Sequence, residues 1–253
     1  MQTEKCFLIT GGSRGLGRSM ALHLAQRGVG GVITYRSRKE EADQVVAEMR
    51  RLGVKAEALA FDAAEPGGWR RFGQSFRQVL SETFDREDFD FLVNNAGMGA
   101  HALIAETTED QFDQLMHVHF KSVFFLTQEL MPILADGGRI LNISSGLTRF
   151  TFPGYAAYAS MKGAIEVLTH YLAKELGGRG ISVNTVAPGA IETDFGGGAV
   201  RDNRELNQMI AAQTALARVG LPDDIGAMIA SLLGPENGWI TAQRIEVSGG
   251  MLI

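Results

Sequence analysis

Short apolar runs alternate along this chain with longer segments in which apolar residues recur at helical spacing. The apolar runs predict strands at residues 5–10, 31–35, 55–61, 90–93, 138–144, 181–186 and 244–247. The intervening segments predict helices at residues 19–27, 40–52, 69–83, 108–134, 155–177 and 223–233. A stretch that is first glycine-rich and then helical occupies residues 191–217.

The strict alternation of strands and helices predicts an α/β fold, a doubly wound parallel sheet with about seven strands and helices on both faces. The strands are apolar on both sides, as strands covered by helices on each face are. No linker, composition break or internal repeat interrupts the sequence, so we expect a single domain over residues 1–253. Gly196, Gly197 and Gly198 give the 191–217 segment backbone freedom that suits either a substrate lid or an ordinary flexible loop.

Composition narrows the class of protein. Hydrophobic residues make up 45% of the chain and charged residues 21%, which is typical of a globular protein with a core. The net charge of -5 argues against a general nucleic-acid binder, and Cys6 is the only cysteine, so an intramolecular disulfide is excluded. The chain starts without a signal-like segment and has no apolar run long enough for a membrane span, so we expect a cytoplasmic protein with no membrane partner.

A glycine-rich turn follows the first predicted strand. It carries Gly11, Gly15 and Gly17 between that strand and the first helix. Glycines allow a sharp turn and close approach of a pyrophosphate, and the helix N-terminus supplies amide donors. The turn therefore indicates dinucleotide binding, the alternative being a tight turn without a ligand.

The end of the second strand favours one dinucleotide over the other. An NAD site usually has a carboxylate there for the ribose 2′-hydroxyl, but this chain has Arg36, Ser37 and Arg38, with no acid before Glu40. Arginine forks suit a 2′-phosphate, and Arg14 in the glycine turn adds a third cation. We predict NADP(H) rather than NAD(H), although a solvated basic turn has the same composition.

Tyr158 and Lys162 are four residues apart in a predicted helix, which places both side chains on one face. A phenol with its ordinary pKa of about 10 is a poor base near neutral pH, and an adjacent ammonium lowers that pKa. A tyrosine tuned in this way exchanges a proton with a carbonyl or alcohol oxygen, and Ser145 is a candidate hydrogen-bond donor to the same oxygen. The alternative is a half-buried tyrosine beside a surface lysine.

Taken together, these motifs resemble the short-chain dehydrogenase/reductase family over nearly the whole chain. The resemblance rests on the glycine turn, the Asn94–Gly97 box, Ser145 upstream of Tyr158 and Lys162, and the Val186–Gly189 motif with Ile191 and Thr193 behind it. Within this family, the sequence most resembles the 3-oxoacyl-[acyl-carrier-protein] reductases.

The resemblance implies hydride transfer between NADP(H) and a carbonyl or secondary alcohol, in a Rossmann domain without a metal site. It makes Tyr158 the general acid or base, gives Lys162 the tuning of the tyrosine and a hold on the nicotinamide ribose, and has Ser145 steady the substrate oxygen. The cofactor-binding residues it implies are Gly11, Ser13, Arg14, Gly15, Leu16, Gly17, Arg36, Ser37, Asp62, Ala63, Asn95, Ala96, Gly97, Tyr158, Lys162, Pro188, Gly189, Ile191 and Thr193. For Asp62, which follows the third strand, a role as a turn residue remains the alternative.

The chain departs from the family pattern at two positions. His119 occupies the place of an asparagine that in the family distorts the helix and orders a water linked to the lysine. A histidine there either takes part in a proton relay, holding a water or titrating near neutral pH, or is a packed helix residue. Ser248 replaces an aspartate that is common in the family, at an end of the chain that is more structural than chemical.

The substrate implied by the resemblance is a 3-oxoacyl thioester or a related ketone. A sugar or alcohol dehydrogenase of the same family is an alternative, as is an NADP-binding sensor without turnover. Arg179 matches a basic position of the carrier-protein reductases, but the basic run expected before the fifth strand is missing, which leaves carrier-protein docking open. Apolar residues on more than one side of the two long helices, together with the resemblance, predict a homotetramer or homodimer, the alternative being a thick monomer core.

Overall fold

The computed structural model describes residues 4–253 and contains one parallel sheet of seven strands. The strands are β1 (Cys6–Ile9), β2 (Gly30–Tyr35), β3 (Ala56–Ala60), β4 (Phe89–Asn94), β5 (Leu134–Ile143), β6 (Ser182–Pro188) and β7 (Arg244–Val247). Their order across the sheet is β3-β2-β1-β4-β5-β6-β7, with every neighbouring pair parallel. The predicted doubly wound fold is therefore confirmed, and the first three residues of the predicted domain lie outside the described residues.

Helices cover both faces of this sheet. They are α1 (Gly15–Gln26), α2 (Lys39–Arg51), α3 (Gly68–Val79), α4 (Glu109–Met116), α5 (Ser122–Leu130), α6 (Ala156–Leu176), α7 (Ala199–Asp202), α8 (Arg204–Ala212) and α9 (Pro222–Leu232). A π-helical turn, His117–Lys121, joins α4 to α5. Among residues 4–253, no helix is both long enough and apolar enough to cross a membrane.

Alternate residues of the central strand separate two hydrophobic cores. Cys6 and Leu8 pack with side chains of α3, α5 and α6, whereas Phe7 and Ile9 pack with side chains of α1, α2 and α9. All four strand residues are fully buried, and burying a side chain as large as Phe7 contributes about 1.5–3 kcal/mol. The two-residue period of a strand thus places one core on each side of the sheet.

The helix predicted at residues 108–134 ends earlier, at Leu130. Pro132 follows in a 3₁₀ turn, Met131–Ile133, and its ring nitrogen has no hydrogen to donate to a continuing helix. Strand β5 then begins at Leu134, four residues before the predicted start, and carries a register irregularity opposite β4.

The strand order reverses between β1 and β4. From β1 the chain continues to β2 and β3 on one side of the sheet, and from β4 it continues to β5, β6 and β7 on the other. In sheets of this kind, ligands bind in the crevice beyond the carboxyl ends of the strands at that reversal. The glycine turn follows β1 and the asparagine box follows β4, so both motifs line this crevice.

Candidate active site

The glycine turn is held in a conformation that only glycine tolerates at its tightest positions. Gly11 has φ of 68°, in the left-handed region, and a Cβ built on Gly17 would lie 2.3 Å from the Gly11 carbonyl oxygen. The Asn95 amide nitrogen donates to the carbonyl oxygens of Thr10 at 2.9 Å and Gly11 at 3.1 Å. The asparagine box therefore braces the turn, and helix α1 begins directly behind it at Gly15.

Residues beyond β6 close the same crevice from the other side. The Gly189 amide donates to the Val247 carbonyl at 3.0 Å, and Ile191 forms a parallel bridge with Gly220. The Thr193 side chain lies against Gly15, where a Cβ would come within 3.5 Å of its methyl carbon. Ala96 donates its amide to the Thr10 hydroxyl at 2.9 Å. The structure thus brings the predicted residues after β1, β4 and β6 together.

The predicted phosphate-binding arginines stand at the rim of this crevice. Arg36 is exposed just after β2, and Arg38 pairs with Glu41 at 2.5 Å. Arg14 pairs with Asp194 at 3.3 Å, so the glycine turn is linked to the start of the 191–217 segment. This contact with Asp194 is not evident from the sequence, because 180 residues separate the partners.

The neighbouring predicted cofactor contacts lie around the same rim. Asp62 accepts a hydrogen bond from the Ala64 amide at 2.9 Å, the geometry of a turn residue. Ala63 is buried beside it at the end of β3. Ser13 and Leu16 belong to the glycine turn and the first turn of α1, and Ser37 follows β2.

Tyr158 and Lys162 lie one turn apart near the start of α6, and both are buried. The Lys162 ammonium donates to the Ile143 carbonyl oxygen at 2.7 Å and lies 5.7 Å from the centroid of the Tyr158 ring. Ile143 is the last residue of β5. The helix therefore presents both side chains to the carboxyl end of the sheet, where Ser145 follows two residues later.

Burial dominates the acidity of both groups. Loss of solvation raises the pKa of Tyr158 to about 12, while hydrogen bonding by Ser145 acts in the opposite direction. Loss of solvation also lowers the pKa of Lys162 to about 7. The expected lowering of the tyrosine pKa by Lys162 is thus not found within the protein itself: desolvation of the phenolate is the main influence on this pKa, and Lys162 is not among the groups that shift it.

The two adjacent serines point in different directions. Ser145 Oγ accepts a hydrogen bond from the Leu147 amide at 3.2 Å and stays beside Tyr158. Ser144 Oγ instead donates to the Glu166 carboxylate at 2.7 Å. Of the pair, Ser145 is therefore the one next to the tyrosine.

His119 sits in the π-helical turn between α4 and α5, with 1% of its surface exposed. Its Nε2 lies 2.8 Å from the carbonyl oxygen of Met98, and its ring packs edge-on against Tyr158 with centroids 5.0 Å apart. Burial, together with the charge of Lys162, lowers the pKa of His119 to about 3, so the ring is neutral near pH 7. Its Nδ1 is buried and finds no hydrogen-bond partner within residues 4–253.

The beginning of the 191–217 segment lies against Tyr158 and the residues just after the asparagine box. The Phe195 ring lies 5.9 Å from the Tyr158 ring, and backbone atoms of Gly196 approach Gly99 closely. Helix α8 packs Ile210 with Phe150 and Phe152. The sequence analysis misses Phe195. Its position directly before the three glycines is the signal that could have marked it.

Comparison with known proteins identifies the family. A family model described as enoyl-(acyl carrier protein) reductase matches residues 11–252. The 3-oxoacyl-[acyl-carrier-protein] reductase of Staphylococcus aureus is 36% identical to this chain, and the match covers 99% of each protein. The chain belongs to the short-chain dehydrogenase/reductase family. It is therefore an oxidoreductase, and the resemblance found in the sequence is confirmed.

Two solved structures of reductases are similar throughout. The promiscuous reductase LugOII, which catalyses keto-reduction at C1 during lugdunomycin biosynthesis, is 38% identical with a TM-score of 0.93, covering 100% of this chain and 99% of its own. The angucycline C-6 ketoreductase LanV with bound NADP is 34% identical, also with a TM-score of 0.93, covering 98% of this chain and 95% of its own. Both structures therefore match the fold of this chain over almost its whole length.

Proposed function

We propose that this protein is an NADPH-dependent reductase that converts a ketone to a secondary alcohol, with Tyr158 as the general acid. The observation that carries the proposal is the meeting of Ser145, Tyr158 and Lys162 at the carboxyl end of β5, in the crevice that the glycine turn also lines. LugOII and LanV, both named as enzymes of keto-reduction, support the reaction class.

The protonation state of Tyr158 fits reduction of a ketone rather than oxidation of an alcohol. With a pKa of about 12, the phenol of Tyr158 stays protonated near pH 7 and has a proton to donate to the carbonyl oxygen. Ser145 offers its hydroxyl to the same oxygen. A nicotinamide cofactor supplies the hydride when bound. The reverse reaction needs Tyr158 as a phenolate, which the positive charges of Lys162 and of an oxidised nicotinamide favour.

The residues around the glycine turn fit a dinucleotide with a 2′-phosphate. The turn leaves no room for side chains at Gly17, and α1 points its N-terminal amides at the crevice. Arg14, Arg36 and Arg38 stand where the second strand ends, and the bound NADP of LanV supports the same choice here. We infer that Arg36 and Arg38 contact the phosphate and that Arg14 exchanges Asp194 for it.

An arginine substitution tests the cofactor. Replacing both Arg36 and Arg38 by alanine removes charge-assisted hydrogen bonds worth about 1.5–3 kcal/mol each, so KM for NADPH rises at least about tenfold while KM for NADH stays within about twofold. Arg71→Ala, which removes an exposed arginine of α3 that pairs with Glu65, serves as the control. An equal effect of the double variant on both cofactors would rule out a 2′-phosphate site.

The walls around the tyrosine favour an apolar ketone. Phe195 covers the Tyr158 ring. Leu115, Met161 and Met98 pack in the same apolar cluster as the tyrosine. An apolar site with an aromatic cover suits a planar or polyketide-derived ketone, the class to which the names of LugOII and LanV point.

A 3-oxoacyl thioester is the second candidate substrate, supported by the similarity to the Staphylococcus aureus enzyme. Docking of a carrier protein has less support. The guanidinium of Arg179 pairs with Asp136 at 2.7 Å and donates to the carbonyl oxygens of Met131, at 2.9 Å, and Leu134. With its donors engaged inside the protein, this arginine is not free for an acidic partner.

A substrate panel separates these candidates. Purified protein is mixed with NADPH and, in turn, a polycyclic aromatic ketone, acetoacetyl-coenzyme A, the same acyl group on a carrier protein, and a sugar or simple alcohol with NADP⁺. We expect the highest kcat/KM with the aromatic ketone and no gain from the carrier protein. Tight NADPH binding without turnover on any member would instead favour an NADP-binding sensor.

We propose a relay role for His119 that keeps the ring neutral. Its unpartnered Nδ1 is suited to accept a hydrogen bond from a water near Lys162. That water passes the proton on, while the ring keeps its own single proton and stays neutral. His119→Ala then lowers kcat about 10-fold or more, as loss of a general acid–base contact does, whereas His119→Asn retains a water ligand and loses less. Unchanged turnover and pH profile in His119→Ala would overturn the role.

We also propose that the protein is a homotetramer or homodimer through α5 and α6. These helices form an open groove of about 500 Å³. Its apolar lining residues are Phe120, Phe124, Met131, Ala164, Val167, Leu168, Tyr171 and Leu172. Val167 and Tyr171, on adjacent turns of one helix, are more than half exposed. Neighbouring large apolar side chains exposed in this way mark a surface that binds another protein.

A further inference from the structure

Glu166 collects three hydrogen bonds on one carboxylate oxygen. Its Oε1 accepts from Ser144 Oγ at 2.7 Å, from Thr148 Oγ1 at 2.7 Å and from Arg244 Nε at 2.8 Å. Glu166 lies on α6 one turn beyond Lys162, as Lys162 lies one turn beyond Tyr158. Two of its three donors flank Ser145 in the chain.

Arg244, on the edge strand β7, donates hydrogen bonds to the same loop, one of them to a backbone oxygen. Its guanidinium donates to the Ser145 carbonyl oxygen at 3.3 Å and to Thr148 Oγ1 at 3.1 Å. It also pairs with Glu246 at 3.2 Å, and Glu246 in turn pairs with Arg149 at 2.7 Å. Charged side chains from α6 and β7 therefore converge on residues 144–149.

In the part of the chain that the structure describes, backbone hydrogen bonds tie this loop to the sheet only as far as Ser144, whose amide donates to the Val186 carbonyl oxygen at 2.7 Å. Strand β5 ends at Ile143, and Ser145 is followed by a single 3₁₀ turn, Gly146–Thr148, whose own bonds are local. The side chains of Glu166 and Arg244 are 19% and 24% exposed, so water screens their interaction only in part. An ionised carboxylate accepts only, and it therefore fixes the direction of both hydroxyl groups that bond to it.

We propose that Glu166 and Arg244 are positioning residues that hold the Ser145 hydroxyl against Tyr158. Neither touches the substrate or the cofactor in the proposed function, on which the catalytic consequence rests. Glu166 fixes Ser144 and Thr148 on either side of Ser145, and Arg244 fixes the Ser145 carbonyl. The stripe Tyr158, Lys162, Glu166 on α6 thus carries a proton donor, a cation and the anchor of the serine loop.

Kinetics of matched variants test this assignment. A displacement of about 1 Å at a catalytic group costs about 10²-fold in rate, so Glu166→Ala lowers kcat about 10- to 100-fold while KM for NADPH stays within about twofold. Glu166→Gln keeps an oxygen acceptor for both hydroxyl groups and retains kcat within about threefold of the parent. Loss of cofactor affinity in step with kcat would point to a general structural defect and overturn the assignment.

A double substitution tests whether the two residues act as one unit. Arg244→Ala lowers kcat like Glu166→Ala, and the double variant is no slower than the slower single variant, because the second change removes an anchor already lost. Glu57→Ala, which breaks the Arg50–Glu57 pair at 2.6 Å on the far side of the sheet, leaves kcat unchanged. Multiplicative losses in the double variant would contradict a shared role.

A crystal structure gives a readout that does not depend on turnover. In Glu166→Ala, or in Arg244→Gln if that protein alone folds, we expect Ser145 Oγ to move away from the Tyr158 hydroxyl by about 1 Å or more. An unmoved Ser145 would overturn the assignment whatever the kinetics. If the parent reduces no ketone at all, the proposed function fails, and the position of Ser145 still decides for or against the anchor.

Discussion

At the scale of single residues, burial rather than charge pairing sets the protonation states of the site. It keeps Tyr158 protonated, brings the pKa of Lys162 to about 7 and holds His119 neutral. The neutral histidine matters most, because a ring that titrated near pH 7 would place a second cation beside Lys162. Its neutrality leaves the charge of the site with the lysine and the cofactor.

The buried histidine makes stability depend on pH in a definite direction. The pKa of His119 is lowered from 6.5 to about 3, so below pH 6.5 the unfolded chain binds a proton that the folded chain refuses. Stability is therefore lost as pH falls from 6.5 toward 3, and at about pH 5 the loss from this residue is about 2 kcal/mol.

Urea unfolding at about pH 7.5 and about pH 5 measures this loss. His119→Asn is expected to lose about 2 kcal/mol less than the parent over that interval, because it has no proton to bind. His170→Asn, which removes an exposed histidine on α6, is the control and should follow the parent. Parallel losses in His119→Asn and the parent would show that the ring is protonated in the folded protein.

At the scale of elements, the glycine turn and the end of β4 form one unit, because Asn95 ties them together. Gly17→Ala tests this packing. A Cβ there would lie 2.3 Å from the Gly11 carbonyl oxygen, so the turn must shift, and we expect NADPH affinity to fall at least about tenfold, or about 1.4 kcal/mol.

Gly178→Ala supplies the matched control, since a Cβ at Gly178 meets nothing within 4 Å. Calorimetric titration of NADPH into the two variants compares them directly. Equal affinities would mean that the cofactor does not approach this turn.

The sequence predicts the elements well, because strand and helix periodicities are local properties. It misses the π-helical turn at His117–Lys121, since one extra residue in a helical turn scarcely disturbs the apolar spacing. It also misses the partnership of Glu166 with Arg244, which are 78 residues apart and meet only when β7 joins the sheet. The sequence also does not predict the raised pKa of Tyr158, because burial is a property of the whole fold.

At the scale of the whole molecule, the exposed groove between α5 and α6 predicts self-association. A charged residue placed in a desolvated apolar interface costs several kcal/mol, so Val167→Asp combined with Tyr171→Asp should lower the molar mass measured by light scattering to that of a smaller oligomer or a monomer. Leu52→Asp, at an exposed leucine after α2, should leave the mass unchanged. A parent protein that is already monomeric, or a double variant of unaltered mass, would contradict this interface.

In the proposed mechanism the molecule joins two parts at one crevice, with the glycine turn that would hold the cofactor on the β1 side and the proposed proton donor on the α6 side. The rate of NADPH oxidation by a ketone, compared between the parent and Tyr158→Phe, tests that arrangement most directly. We predict turnover in the parent and a loss of about 10²- to 10⁴-fold in Tyr158→Phe, with NADPH affinity retained. Equal rates in the two proteins would contradict the assignment of Tyr158 as the proton donor.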